Sequence, residues 1–227
     1  MTELVTRYQK VRARIAAAAA KSSRAADDIA LLAVSKKKSV EDIIQVAECG
    51  QRDFGENYLQ EALEKITKLN TLDLCWHFIG PIQSNKTRAI AEHFDWAHSV
   101  DRLKIAKRLS EQRPNELPPL NICLQVNIDE EDSKSGFHPD EVGNAAEQIA
   151  TLPNLNVRGL MAIPNPALNT CQAFSKMKAL SDNIKNKNIA PHWNTLSMGM
   201  SSDLEAAIEH GASMVRIGSD IFGPRAT

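Results

Sequence analysis

Apolar runs of strand length alternate with helical patterns along almost the whole chain, and that alternation limits the fold more than any single motif does. Strand-like runs lie near 30–35, 52–54, 75–79, 95–99, 120–127, 155–162, 193–197 and 213–217. Helical patterns follow at 39–49, 57–69, 84–93, 101–112, 138–150, 168–187 and 202–210, with a short turn after Ile221. Short apolar stretches suit strands buried on both faces, and the amphipathic segments between them suit helices covering those faces. Ser39 with Asp42, and Ser202 with Glu205, read as capping boxes; Asp101 opens the helix at Arg102, and Gly50 and Gly211 close theirs. An amphipathic helix precedes the first strand, with Leu4, Tyr8, Val11 and Ile15 on one stripe.

Repeated strand–helix units predict an α/β fold, a single (β/α)8 TIM-like barrel with an extra N-terminal helix. An open doubly wound sheet is the competitor. It seldom has so many strands and usually shows a Gly-x-Gly-x-x-Gly turn, which this sequence lacks. The proline-rich stretches Pro114–Pro119 and Pro164–Pro166 read as connections, so one domain over 1–227 is expected.

Composition removes several classes of function. Twenty-seven basic residues balance 28 acidic ones, for a formal charge of -1, so no basic footprint for nucleic acid exists. No apolar run approaches the roughly 20 residues a membrane helix needs. The opening Met1-Thr2-Glu3-Leu4 has neither the basic nor the apolar region of a secretory signal. Cys49, Cys75, Cys123 and Cys171 are scattered, which fits reduced thiols in a cytoplasmic protein. The histidines show no metal-ligand spacing, so no metal site is expected.

In such a barrel chemistry occupies the carboxyl ends of the strands. Those ends carry Lys36, Gly55-Glu56-Asn57, Gly80-Pro81, Met161-Ala162, Ser197-Met198-Gly199-Met200-Ser201 and Arg216-Ile217-Gly218-Ser219. Alternation places Lys36 on the face of Leu32 and Val34. A desolvated lysine there is a nucleophile for an aldehyde such as that of pyridoxal phosphate; the plainer alternative is one solvated cluster with Lys37 and Lys38. Ser201, Gly218 and Ser219 follow the last two strands, where barrels often bind phosphate, although each could merely cap a helix or make a turn. Arg216 shares a face with Met214 and needs a partner: a carboxylate such as Glu56, or the ring nitrogen of a bound cofactor.

The stretch Trp76-His77-Phe78-Ile79-Gly80-Pro81-Ile82-Gln83-Ser84-Asn85-Lys86 resembles a signature of the pyridoxal phosphate homeostasis proteins. So do Ala33-Val34-Ser35-Lys36, Phe54-Gly55-Glu56-Asn57-Tyr58, Lys134-Ser135-Gly136, Arg158-Gly159-Leu160-Met161, Ser197-Met198-Gly199-Met200-Ser201, Val215-Arg216-Ile217-Gly218 and Ile221-Phe222-Gly223. The match runs in order from about residue 4 to 225. The resemblance implies the barrel of the alanine racemase N-terminal domain and pyridoxal 5'-phosphate held as a Schiff base on Lys36. It further implies Asn57 beside the cofactor, Ser201, Gly218 and Ser219 on its phosphate, and Arg216 facing the pyridine nitrogen. Lys37, Ser39, Ser219 and Asp220 depart from the residues commonest in the family. Asp220 is the departure that touches the site, because a carboxylate beside a phosphate is unfavourable unless it points away.

The reading is therefore a non-catalytic, cytoplasmic, monomeric carrier of pyridoxal phosphate, with apoenzymes that use it as candidate partners. The alternative is a pyridoxal phosphate-dependent amino acid racemase. Racemisation needs an acid/base group on each face of the cofactor. The only tyrosines are Tyr8 and Tyr58, and the chain stops at Thr227 with no sign of the second domain that completes a racemase site. An arginine at the ring nitrogen also weakens the ring as an electron sink. A phosphate-metabolite isomerase on the same barrel would leave Lys36 and Arg216 without roles. His77 reads as a core histidine, and Lys134 as a solvated residue of a mobile acidic loop, Asp129–Gly136.

Overall fold

A computed structural model describes residues 2–131 and 134–224. Its eight strands are β1 (Ala30–Val34), β2 (Asp53–Glu56), β3 (Cys75–Phe78), β4 (Trp96–Val100), β5 (Leu120–Gln125), β6 (Leu155–Met161), β7 (Thr195–Ser197) and β8 (Met214–Ile217). All pair in parallel and in sequential order, and β8 returns to β1 through Leu32↔Arg216 and its neighbours. The barrel is closed. Strand boundaries fall within two residues of those expected from the apolar runs.

The crossovers are α2 (Val40–Glu48), α3 (Leu59–Lys68), α4 (Thr87–His93), α5 (Leu103–Gln112), α6 (Val142–Ala150), α7 (Thr170–Asn186) and α8 (Leu204–Glu209), while α1 (Glu3–Lys21) precedes β1 and α9 (Ser219–Phe222) follows β8. One 3-10 turn, Ser84–Lys86, leads into α4. The α1 stripe buries Tyr8, Val11 and Ile15, with Ala18 and Ala19 continuing it. Its N-terminus is capped by Thr2, whose hydroxyl accepts from the Val5 amide.

Two predicted helix caps are corrected. Ser39 and Asp42 do form a capping box, but Ser202 and Glu205 do not. Arg14 takes the Glu205 carboxylate at 2.7 Å, so α8 opens one residue later, with Asp203 at its N-cap. Similarly, Asp101 pairs with Arg102 at 2.7 Å, and α5 starts at Leu103 behind Arg102. The final turn begins at Ser219, earlier than expected, because β8 passes through Gly218 directly into α9.

The main core lies between sheet and helices, where Leu31, Ala33, Phe54, Phe78 and Ile122 meet Ile43, Ala62, Ile105 and Phe174. Each large side chain fully buried there contributes about 1.5–3 kcal/mol. The barrel interior is different. Trp96, Cys123 and Met161 cluster inside with Cys75 packed against them, and His77, His98, Ser197 and Arg216 are also buried. Gly159 is required between β6 and β7: its φ is +147°, and a Cβ there would stand 1.8 Å from the Thr195 carbonyl oxygen.

Candidate functional site

At the carboxyl ends of the strands a cavity of about 390 Å³ is lined by Lys36, Lys38, Asn57, Ser201, Ser202, Arg216, Gly218 and Ser219, with Val34, Ile79, Ile163 and Met200 supplying apolar wall. Every site residue expected from the sequence is in this lining. A larger open cleft, about 770 Å³, lies on the outer surface beside α4 and α5 and contains no strand end.

The three consecutive lysines separate. Lys36 is half-buried on the cavity wall. Lys37 takes a left-handed backbone conformation, φ +58°, which turns its side chain out toward the Tyr58 ring, 6.0 Å away. Lys38 reaches the rim, but its Nζ donates to the carbonyls of Phe222, Gly223 and Pro224 at 2.9–3.3 Å. Lys36 and Lys38 therefore line the cavity, while Lys37 points away from it.

A buried clamp holds the backbone on either side of Lys36. Glu56 Oε1 accepts from Ser35 Oγ at 2.7 Å and from Lys65 Nζ at 2.8 Å. Lys65 also donates to the Ser35 carbonyl at 2.8 Å and to Glu61 at 2.5 Å, and Glu61 accepts from the Lys37 amide at 2.6 Å. Glu56 is therefore not the partner of Arg216. Gly55 faces the barrel interior beside Leu32 and Ile79, so the next residue, Glu56, points outward toward α3. Burial raises the Glu56 carboxyl above its ordinary range, with Lys65 and Ser35 pulling the other way.

Asn57 follows directly. Its Oδ1 is buried with no hydrogen-bond partner, an acceptor held ready for a donor from the cavity. Gly80 keeps it in place, because a Cβ at that position would lie 2.3 Å from the Asn57 carbonyl oxygen.

Arg216 finds its partners inside the barrel. One Nη donates to Ser197 Oγ and the other to the Ala162 carbonyl, both at 2.8 Å. Burial lowers its pKa to about 10. Beyond Ser197 the contacts continue to His98 Nδ1 at 3.0 Å, from His98 Nε2 to His77 Nδ1 at 2.9 Å, and from His77 Nε2 to Asp53 at 3.0 Å. One assignment that satisfies every bond has Arg216 donating to Ser197, Ser197 to His98, His98 to His77, and His77 to Asp53. Burial, with His77 and Arg216 nearby, holds His98 well below the usual histidine range and so neutral. His77 is thus the satisfied core histidine expected from the sequence. The chain as a whole was not legible there, since His98 and Ser197 stand far apart and the motif that opens at Ser197 was read only for the phosphate loop.

The loops after β7 and β8 meet as anticipated. Ser219 Oγ lies 3.3 Å from Ser201 Oγ, and Gly218 and Ser219 open α9. Asp220 turns away from the cavity toward Arg14, at 2.5 Å, while Arg14 also donates to the Ser201 carbonyl at 3.0 Å and to Glu205. The first helix thereby ties both loops together and neutralises the carboxylate that would oppose an anion. Lys134 Nζ pairs with Glu131 at 2.7 Å and lines an adjoining cavity of about 320 Å³, which shares Asn57, Ile79 and Ile163 with the first. Positions 132 and 133 of that acidic loop lie outside the described residues.

Fold and strand-end groups together define a barrel of the alanine racemase N-terminal kind, and the family model described as "Alanine racemase, N-terminal domain" matches residues 7–226. A pyridoxal phosphate homeostasis protein of Pseudomonas aeruginosa is 54% identical over 225 residues, covering 99% of this chain and 97% of that protein. The chain belongs to the pyridoxal phosphate homeostasis protein family. Among solved structures, PipY of Synechococcus elongatus with PLP bound superposes with a TM-score of 0.79 at 36% identity, over 92% of this chain and 100% of that one. Alanine racemase of Corynebacterium glutamicum shares the fold alone: TM-score 0.70, 16% identity, 96% of this chain but 61% of the racemase.

Proposed function

We propose that this chain is a non-catalytic pyridoxal 5'-phosphate-binding protein that buffers or delivers the cofactor in intracellular pyridoxal phosphate homeostasis. In this reading it works in the cytoplasm as a monomer of one barrel domain. The carrying observation is the convergence of Lys36, Asn57, Arg216, Gly218, Ser201 and Ser219 on a single cavity at the strand ends. Lys36 would hold the aldehyde carbon as a Schiff base. Ser201, Ser219 and the first amides of α9 would take the phosphate, and the buried Arg216 would face the pyridine nitrogen. The orphaned Oδ1 of Asn57 suits a donor on the cofactor. When bound, pyridoxal phosphate supplies a reactive carbonyl and an electron sink.

The cavity wall supports a carrier over a racemase. Its titratable side chains, among the described residues, are Lys36, Lys38 and Arg216. Tyr8 is on the buried face of α1, its hydroxyl 3.4 Å from Gln51, and Tyr58 is exposed outside the lining. Among the described residues no further acid/base side chain is in that lining, and a guanidinium does not hand its proton to the ring nitrogen. Incubation of the loaded protein with an apoenzyme tests the reading. Cofactor transfer without sustained α-proton exchange of amino acids is expected; sustained exchange abolished by Lys36→Ala would establish an enzyme instead.

A further inference from the structure

A second constellation of reactive groups sits at the opposite end of the barrel, on its floor. Asp53 and Cys75 are register partners at the start of β2 and β3, and His77 lies two residues along the same strand as Cys75, on the same face. His77 Nε2 is 3.0 Å from Asp53 Oδ1 and 3.3 Å from Cys75 Sγ. All three donor atoms lie within 4.8 Å of one another.

We propose that Asp53, Cys75 and His77 form a binding site for a borderline divalent cation of the zinc class. A thiolate, an imidazole and a carboxylate are the donor types such ions select over magnesium or calcium. With Zn–S near 2.3 Å and Zn–N and Zn–O near 2.0–2.1 Å, tetrahedral geometry places nitrogen about 3.5 Å from sulfur and about 3.3 Å from oxygen. The separations already present differ from these by a few tenths of an ångström. Because Nε2 stands close to both the sulfur and the oxygen, its lone pair can address the point between them.

Three surroundings favour a cation there. The other ring nitrogen of His77 is held by His98 Nε2 at 2.9 Å, the kind of outer contact that orients a ligating histidine. The carboxylates of Asp95 and Asp73 act on Cys75 together with that of Asp53, so negative charge surrounds the place a cation would take. The Asp53 side chain is 37% exposed, so the carboxylate end of the cluster reaches solvent. The three ligands are not among the residues that line the cavity at the strand ends.

Proton balance follows from the hydrogen bonds. The Cys75 thiol exchanges its proton for the ion, and that proton passes to solvent. His77 gives up the proton on Nε2 and carries one on Nδ1, donating to His98, whose own proton then moves to Nδ1 and faces Ser197. In that assignment the ring protons only change places, so one proton is released per ion bound.

The test uses the full chain, reduced and stripped with a chelator, titrated with cobalt as the visible stand-in and then with zinc. We expect a thiolate-to-cobalt charge-transfer band that saturates at one equivalent, vanishes in Cys75→Ser, and is displaced by zinc. Asp53→Asn should weaken zinc binding roughly tenfold or more, with the ion-free melting temperature near that of the parent. If Cys75→Ser does not fold, Asp53→Asn carries the test alone. Absence of the band at one equivalent, a band undiminished in Cys75→Ser, or equal zinc affinity of parent and Asp53→Asn would overturn the site.

Discussion

Arg216 donates to Ser197 Oγ at 2.8 Å, and through that hydroxyl a guanidinium buried inside the barrel is joined to the histidine pair beneath it. Ser197→Ala removes an acceptor from Arg216 and a donor from His98 at once. A loss of about 1–3 kcal/mol is expected from leaving those buried groups unsatisfied, or roughly 2–12 °C in melting temperature for a chain of this size. Ser197→Thr, which keeps the hydroxyl, should recover part of it. Identical melting of Ser197→Ala and the parent would mean that the bond holds nothing in place.

The Glu56–Lys65 pair has a sharper consequence. Lys65→Met leaves a buried carboxylate uncompensated and should cost about 3–5 kcal/mol, whereas Lys65→Met with Glu56→Gln should cost less than Lys65→Met alone. The pH dependence has a definite sign. Glu56 has a raised folded pKa, so its contribution to stability is complete below the unfolded carboxylate pKa, about 4.3, and is lost as pH rises through the folded value. Removing Lys65 raises that folded value further. The single variant should therefore lose more stability than the parent between pH 5 and 8, as chemical denaturation at a series of pH values would reveal.

How far was this legible in the sequence? The barrel was, because eight short apolar runs separated by amphipathic helices admit few other closed arrangements. The cavity residues were legible for the same reason: Lys36, Asn57, Arg216 and the two serines fall at strand ends, and strand order alone brings the ends together. Arg216's partner was not. Excluding Glu56, the carboxylate offered as its partner, required knowing that Gly55 faces inward, which sends Glu56 out to Lys65. The helix start at Leu204 was missed because Arg14, nearly two hundred residues away, claims the capping glutamate. Such contacts are settled in three dimensions, where local pattern is silent.

The hydroxyls of Ser201 and Ser219 should recognise phosphate. Hydrogen bonds to a charged group are each worth about 1.5–3 kcal/mol, so pyridoxal without its phosphate should bind about 100-fold or more weakly than pyridoxal phosphate. Ser201→Ala with Ser219→Ala should narrow that gap. Titration followed by absorbance measures both vitamers, and equal affinity for the two would remove the phosphate role from these loops.

Arg14 should act on the same end without touching the ligand. In Arg14→Ala the Asp220 carboxylate loses its counter-charge beside the phosphate loops. Affinity for pyridoxal phosphate should fall roughly 2- to 5-fold, the scale of a half-exposed ion pair. Adding Asp220→Asn should restore much of it. If the double variant binds no better than Arg14→Ala, the arginine acts by tying α1 to the loops and not by neutralising charge.

The central claim is that Lys36, and neither of its two lysine neighbours, holds pyridoxal phosphate covalently. Borohydride reduction of the loaded protein, followed by peptide mass mapping, tests it most directly. The account predicts the pyridoxyl group on Lys36 and its loss in Lys36→Ala, with weaker non-covalent binding kept by the phosphate loops. A pyridoxyl group found on Lys37 or Lys38 and absent from Lys36 would contradict it.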